Sequence, residues 1–232
     1  MERQPPFPNG RLLWSPAQLK ARLGDPQLVL VDLRSTHELF DGVIPGAVHF
    51  DLYGIGMTKT TPELFEEFAQ MMRSLLALRG VGQDRCVVFY EQETGMRVAR
   101  AFWLLEYFGH ADVHVLDGGM RAWRAADLEV AARPAEPHPH SFKIAPRREL
   151  FISADELRDQ LAAGAVQTLD TRDPEEYYGQ RKRAARAGTI PGAAHLPWER
   201  FLDGEGRFKG AAELASLFQG VGITRDKAIV PF

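Results

Sequence analysis

The stretch that decides the fold reads Leu30-Val31-Asp32-Leu33-Arg34-Ser35-Thr36-His37-Glu38-Leu39-Phe40, then Val43-Ile44-Pro45-Gly46-Ala47-Val48-His49. It is decisive because the chain carries it twice. Leu169-Asp170-Thr171-Arg172-Asp173-Pro174-Glu175-Glu176-Tyr177-Tyr178, followed by Thr189-Ile190-Pro191-Gly192-Ala193-Ala194-His195, repeats the pattern in the same order. A third block, Gly80-Val81-Gly82 ahead of Val87-Val88-Phe89-Tyr90, returns as Gly220-Val221-Gly222 ahead of Ala228-Ile229-Val230-Pro231-Phe232. Three matched blocks in one order establish two copies before any secondary structure is assigned.

Composition bounds what such a chain does. Its 232 residues are 45% hydrophobic and 25% charged, enough for two modest cores. The net charge of -3, from 28 basic and 31 acidic residues, gives no field to hold a nucleic acid backbone. The opening MERQPPFPNG has no apolar run behind a basic start, and no later stretch approaches the ~20 apolar residues that span a bilayer. The expectation is a cytoplasmic protein with neither nucleic acid nor membrane as a partner. One cysteine, Cys86, excludes an internal disulfide framework and a multi-cysteine metal site, and the sequence calls for no cofactor and no metal.

Between the copies, AARPAEPHPHSFKIAPRREL has four prolines and no helical period, which predicts an extended rather than packed linker. The expected organisation is a first domain over 1–133, a linker over 134–149 and a second domain over 150–232. His138 and His140 within the linker are assigned no role. In the first copy, apolar runs at Gln27 to Leu33, Val87 to Tyr90 and Val113 to Leu116 predict strands. Helical spacing at Glu63 to Leu78 and about Arg97 to Phe108, with a further helix opening near Gly119, predicts the helices between them. Such alternation predicts an α/β fold, a parallel sheet flanked by helices, since parallel strands need crossover connections.

Asp32 and Arg34 leave the carboxyl end of a strand, with Glu38 in reach, and a structural ion pair is the expectation. Pro45-Gly46 and Pro191-Gly192 suit tight turns. In Asp117-Gly118-Gly119, the aspartate is expected to cap the helix that follows.

Taken in order, Asp32-x-Arg34 with Glu38, Ile44 to Ala47, the strand Val87 to Tyr90 with its loop, and Leu116-Asp117-Gly118-Gly119 with Trp123 resemble the rhodanese family. The likeness is to its tandem members, which include thiosulfate and 3-mercaptopyruvate sulfurtransferases. It covers residues 11 to 133 as a full domain and 150 to 232 as the opening part of a second, incomplete one. The resemblance implies an enzyme that moves a sulfane sulfur from a small anionic donor to cyanide or a thiol through a cysteine persulfide. In the family the cysteine follows the central strand, in a loop whose amides and helix N-terminus favour an anion.

After the first copy's strand the loop reads Glu91-Gln92-Glu93-Thr94-Gly95-Met96-Arg97, and either Glu91 or Gln92 holds the nucleophile position. Glu91, Gln92, Gly95 and Arg97 thus belong to a loop expected to be catalytically silent. Cys86 precedes the strand and is expected to be a buried structural thiol. The second copy's strand ends at Phe232, so the family's cysteine is expected at the next residue, in a longer parent, with no catalytic residue inside this chain. Between Arg172 and Ile190 the second copy carries eight more residues than the first does between Arg34 and Ile44, including Arg181, Lys182, Arg183 and Arg186. The resemblance makes them candidates to hold the donor's anionic end, Arg183 and Arg186 foremost; a solvated basic loop is the other reading. Glu176 stands where many mercaptopyruvate-using members have an arginine, which leaves thiosulfate and mercaptopyruvate both open. The alternative from another class is a non-catalytic binding or regulatory protein of the same fold.

Overall fold

The computed structural model describes residues 7, 9–57 and 59–232. Most of MERQPPFPNG, on which the leader reading rests, lies outside them. The described chain forms two compact units, one of residues 9–153 with 204–208 and one of residues 154–203 with 209–232. No helix among the described residues is long and apolar enough to cross a membrane.

In the first unit β1 (Leu13–Trp14), α1 (Pro16–Lys20), β2 (Leu28–Asp32), β3 (Val48–His49), α2 (Pro62–Ala77), β4 (Cys86–Tyr90), α3 (Met96–Tyr107), β5 (Val113–Leu116) and α4 (Gly119–Ala125) follow one another. The strands form a parallel sheet in the order β1-β5-β4-β2-β3. Continuous apolar runs suit a sheet covered on both faces, and the period of two sends alternate side chains to different layers. Val31, Val87, Phe89, Val113 and Val115 meet Phe65, Met72 and Leu76 of α2 and Val98, Leu104 and Leu105 of α3. On the other face, Leu30, Val88, Tyr90 and Leu116 meet Leu19 of α1 and Met120 and Trp123 of α4. Ser15 and Gln18 form a capping box that starts α1, and Thr61 with Pro62 starts α2.

The second unit holds α5 (Ala154–Ala162), β6 (Val166–Asp170), α6 (Pro174–Tyr177), β7 (Ala194–His195), α7 (Ala211–Gly220) and β8 (Ala228–Pro231). Its parallel sheet has the order β7-β6-β8. The register repeats that of the first unit: Asp170 pairs with His195 as Asp32 pairs with His49, and Leu169 pairs with Pro231 as Val31 pairs with Phe89. Its core is smaller, with Leu169, Leu196 and Ile223 backed by Phe201, Leu217 and Phe218. β4 is buried along its length, whereas Ile229 of β8 is 41% exposed, since among the described residues no counterpart of α3 or β5 lies beside β8.

The segment read as a linker corrects one expectation. It is extended, but it is packed: Phe142 is 2% exposed in the core of the first unit, edge-on to Phe108. Amides of His140, Ala145 and Arg147 bond the carbonyls of Ala77, Phe108 and Tyr107. The prolines suppress helix without preventing burial of the one phenylalanine between them. Phe142→Ala is therefore expected to lower the unfolding free energy in urea by about 3–5 kcal/mol, whereas the same change in a free linker would cost less than about 0.5 kcal/mol.

Candidate functional site

In both units the strand order reverses at one place. β3 lies on one side of β2 and β4 on the other, as β7 and β8 flank β6, and the loops leaving the carboxyl ends diverge there. Such an edge is where α/β sheets place ligands.

Each edge is built on the same ion pair. Arg34 reaches Asp32 through Nε (3.0 Å) and Nη2 (2.6 Å), and both residues are buried. Nη2 also donates to the Gly42 carbonyl, which fixes the approach to the Ile44-Pro45-Gly46 turn. Tyr90 Oη at the end of β4 donates to Asp32 Oδ2 (2.6 Å) and accepts from Ile44 N. Burial, with the Asp32 charge beside it, holds the Tyr90 phenol well above its ordinary value. In the second unit Arg172 reaches Asp170 (2.6 Å) and the Gly188 carbonyl, and Thr189 Oγ1 supplies the donor that Tyr90 supplies in the first. Burial opposes the Asp170 charge, but the bonds from Arg172 and Thr189 outweigh it and depress its carboxyl.

The expected reach of Glu38 to the pair is corrected. Its carboxylate accepts from Ser35 N and Oγ, and only its backbone carbonyl meets Arg34. Its counterpart Glu176 does reach, lying 3.6 Å from Arg172 Nη1. The repeat also carries a signal in its histidines. His49 and His195, each closing an Ile-Pro-Gly-Ala block, place Nε2 on the carbonyls of Arg34 and Arg172, at 2.8 and 3.0 Å.

Above the first unit's edge, Glu91 and not Gln92 points inward. Glu91 Oε1 accepts from Arg97 N and Val98 N, both at 3.0 Å, in the first turn of α3, while Gln92 is exposed. A tethered carboxylate therefore occupies the anion-favouring end of that helix. Burial raises the Glu91 carboxyl despite these bonds. Gly95 leaves the room: a Cβ there would lie 3.1 Å from Glu91 Oε1. Arg97 is held by the Leu33 carbonyl (3.0 Å), Asp51 (2.8 Å) and the Tyr53 ring.

The Asp117-Gly118-Gly119 turn supports the loop from beneath. Amides of Met120 and Arg121 bond the carbonyls of Glu91 and Gln92, and a Cβ on Gly119 would sit 2.3 Å from the Glu91 carbonyl oxygen. Asp117 does not cap α4, which corrects a third expectation. Gly118 is the N-cap and has no side-chain cap, Gly118 N donates to Thr94 Oγ1, and Asp117 instead accepts from Thr94 Oγ1 and Phe208 N. Cys86 opens β4 at the far end from this loop and is buried, and its thiol is pushed up to about 12, by burial first and then by Asp112.

The second unit's insertion contributes its cations unevenly. Arg181 is paired with Asp173 (2.6 Å) and Glu175, and Arg183 Nε is 3.1 Å from Glu176. Lys182 and Arg186 are exposed and have no partner among the described residues. Beside β7, a cavity of ≈ 420 Å³ is lined by Tyr178, His195, Pro197, Arg200 and Leu217, among others. Arg200 follows the strand by a loop with no period of its own, so nothing in the sequence singled it out. At the end of β8, Phe232 O accepts from Thr171 N (2.9 Å), as Tyr90 O accepts from Leu33 N (2.9 Å). Phe232 thus stands where Tyr90 stands, next to the position that Glu91 takes in the first copy.

A family model described as "Rhodanese-like domain" matches residues 15–126 and 153–230. The thiosulfate sulfurtransferase of Azotobacter vinelandii is 32% identical over 219 residues, covering 94% of this chain and 81% of that protein. The 3-mercaptopyruvate sulfurtransferase of Escherichia coli is 29% identical over 229 residues, covering 91% and 80%. Among solved structures, SseA from Escherichia coli, with the "Rhodanese" fold, superposes with a TM-score of 0.80 at 28% identity, over 95% of this chain and 87% of that one.

Two outcomes test the edge. Arg34→Ala leaves a buried carboxylate unpaired and is expected to cost about 3–5 kcal/mol in urea unfolding, and Tyr90→Phe, which keeps the pair, about 1–3 kcal/mol. Glu91 has a raised carboxyl in the fold, so its contribution is full at acid pH and is lost as pH rises through the folded value. Glu91→Gln should therefore match the parent's melting temperature near pH 4 and exceed it at pH 7.5, while Glu91→Ala, leaving two helix amides without their acceptor, should melt lower at both.

Proposed function

The chain belongs to the rhodanese family, and from that premise we propose that it is the donor-binding part of a tandem sulfurtransferase whose nucleophile is the residue that follows Phe232. One observation carries this reading. The matched register and the paired bonds Thr171 N to Phe232 O and Leu33 N to Tyr90 O support reading the next residue as the counterpart of Glu91, whose side chain meets the first-turn amides of a helix. A cysteine thiolate there would sit among donors that stabilise an anion, the setting that makes a thiol nucleophilic.

The sulfur chemistry then runs in two displacements. The thiolate attacks the outer sulfur of thiosulfate, the S–S bond breaks and sulfite leaves with the electron pair; cyanide then takes the sulfane sulfur from the persulfide as thiocyanate and returns the thiolate. Mercaptopyruvate is the alternative donor and a thiol the alternative acceptor. Arg183 and Arg186 hold the donor's anionic end. Arg186 has every guanidinium donor available among the described residues, and Arg183 keeps both Nη groups beyond its Nε contact with Glu176. Planar guanidinium groups suit either a sulfonate-like or a carboxylate oxyanion. The first copy is silent in this scheme, since its corresponding position carries a carboxylate.

The test is to read the coding sequence past Phe232, express the continuous frame, and follow thiocyanate formation beside the 232-residue chain. A cysteine as the next residue, turnover by the extended protein alone, and an increase of about tenfold in donor KM for Arg186→Ala are expected, a fold-change equal to about 1.4 kcal/mol. Turnover by the 232-residue chain that survives Cys86→Ser overturns the assignment of the nucleophile.

A further inference from the structure

The amino end of the first sheet holds a cluster that the sulfur chemistry does not use. Cys86 opens β4, and Asp112 and His114 lie on the neighbouring β5 segment, where Val87 pairs with Val113. The Cys86 sulfur, an Asp112 carboxylate oxygen and a His114 ring nitrogen all lie within 4.8 Å of one another. Cys86 and His114 are buried and Asp112 faces solvent.

The orientation of the histidine points to a cation. His114 Nδ1 is 2.9 Å from the Arg11 carbonyl, which only accepts, so Nδ1 carries the hydrogen. Its ring also lies 4.4 Å from the Trp14 ring, which limits rotation. Nε2 then faces Asp112 Oδ1 at 2.8 Å. In the neutral ring that contact sets one lone pair against another, so a positive centre belongs there. In the metal-free chain a proton on Nε2 serves histidine and aspartate, and the Cys86 S–H donates to the same Asp112 carboxylate, so the aspartate already joins the other two groups. A metal ion takes the place of both protons and draws the three ligand atoms to one centre. Thiolate, imidazole and carboxylate are a donor set suited to zinc, and a ring N–H bound to a backbone carbonyl is the outer contact that orients metal-bound histidines.

We propose that Cys86, Asp112 and His114 form a site for one divalent transition-metal ion of the zinc type, with solvent on the Asp112 side supplying a fourth ligand. Zinc's bond lengths put tetrahedral ligands about 3.5 Å apart, so Nε2 and Oδ1 must separate and the sulfur must draw in. The exposed Asp112 side chain, 56% accessible, has the freedom to do this. Coordination replaces the Cys86 S–H bond by S–metal, the proton leaves to solvent, and no electrons change hands. Two ligand charges then balance the ion, while the neighbouring Arg22 is already paired with Asp25 at 2.8 Å. The bound ion ties β4 to β5 at the edge opposite the Glu91 loop, so its role is structural.

The metal-free full chain titrated with Co²⁺ alone tests the site, because Cys86 is the only thiol in it. One equivalent should produce a thiolate-to-cobalt absorption with tetrahedral visible bands, and Zn²⁺ should abolish both. Cys86→Ser and His114→Gln should remove the bands, and a His138→Asn, His140→Asn double variant should keep them. Asp112→Asn, at the surface and so safe for folding, should weaken binding roughly tenfold or more. Absence of the thiolate band in the parent, or stoichiometric uptake that survives both Cys86→Ser and Asp112→Asn, overturns the proposal in favour of a protonated His114–Asp112 pair.

Discussion

A carboxylate and a guanidinium held together in the dry end of a parallel sheet set the geometry of both copies. Asp32 could not be buried at the end of β2 without Arg34, since an isolated charge in that position would cost several kcal/mol. Once the pair exists, its remaining hydrogen bonds organise what surrounds it. Arg34 fixes the Gly42 carbonyl, Tyr90 ties Asp32 to the Ile44 amide, and β2, β4 and the following turn are locked together at the point where the loops diverge. The second copy keeps the pair and exchanges the phenol for a threonine hydroxyl, with Arg172 more exposed than Arg34. The same constraint is thus met by two different donors.

Much of this was legible in the residues because it rests on period and repetition. Continuous runs such as Val87 to Tyr90 give strands, helical spacing gives α2 and α3, and the repeated blocks give the copy number and the register. What could not be read was set by contacts distant in sequence. Glu38 and Glu176 occupy equivalent positions four residues after their arginines, yet one turns back to Ser35 and the other bridges Arg172 and Arg183. Asp117 sits before a helix, where a cap is the local expectation, but Thr94 and the Phe208 amide claim it. Phe142 lies among prolines that describe a linker, and its burial follows from the space beside Phe108. The arginines of the insertion were equal in sequence; their ion pairs separate Arg181 from Arg186.

The choice between Glu91 and Gln92 is of the same kind, since spacing allowed both and only the direction of the side chains separates them. The carboxylate that turns inward meets two amides of α3; a Cβ on Gly119 would collide with the Glu91 carbonyl oxygen, and one on Gly95 would crowd the Glu91 carboxylate.

A side chain anchored one loop away from those amides is present there at an effective concentration that a dissolved anion does not reach. The first-turn amides of Arg97 and Val98 are therefore satisfied from within the chain. Duplication of the domain thus leaves two edges of one design, the first of which is filled by a residue of its own loop.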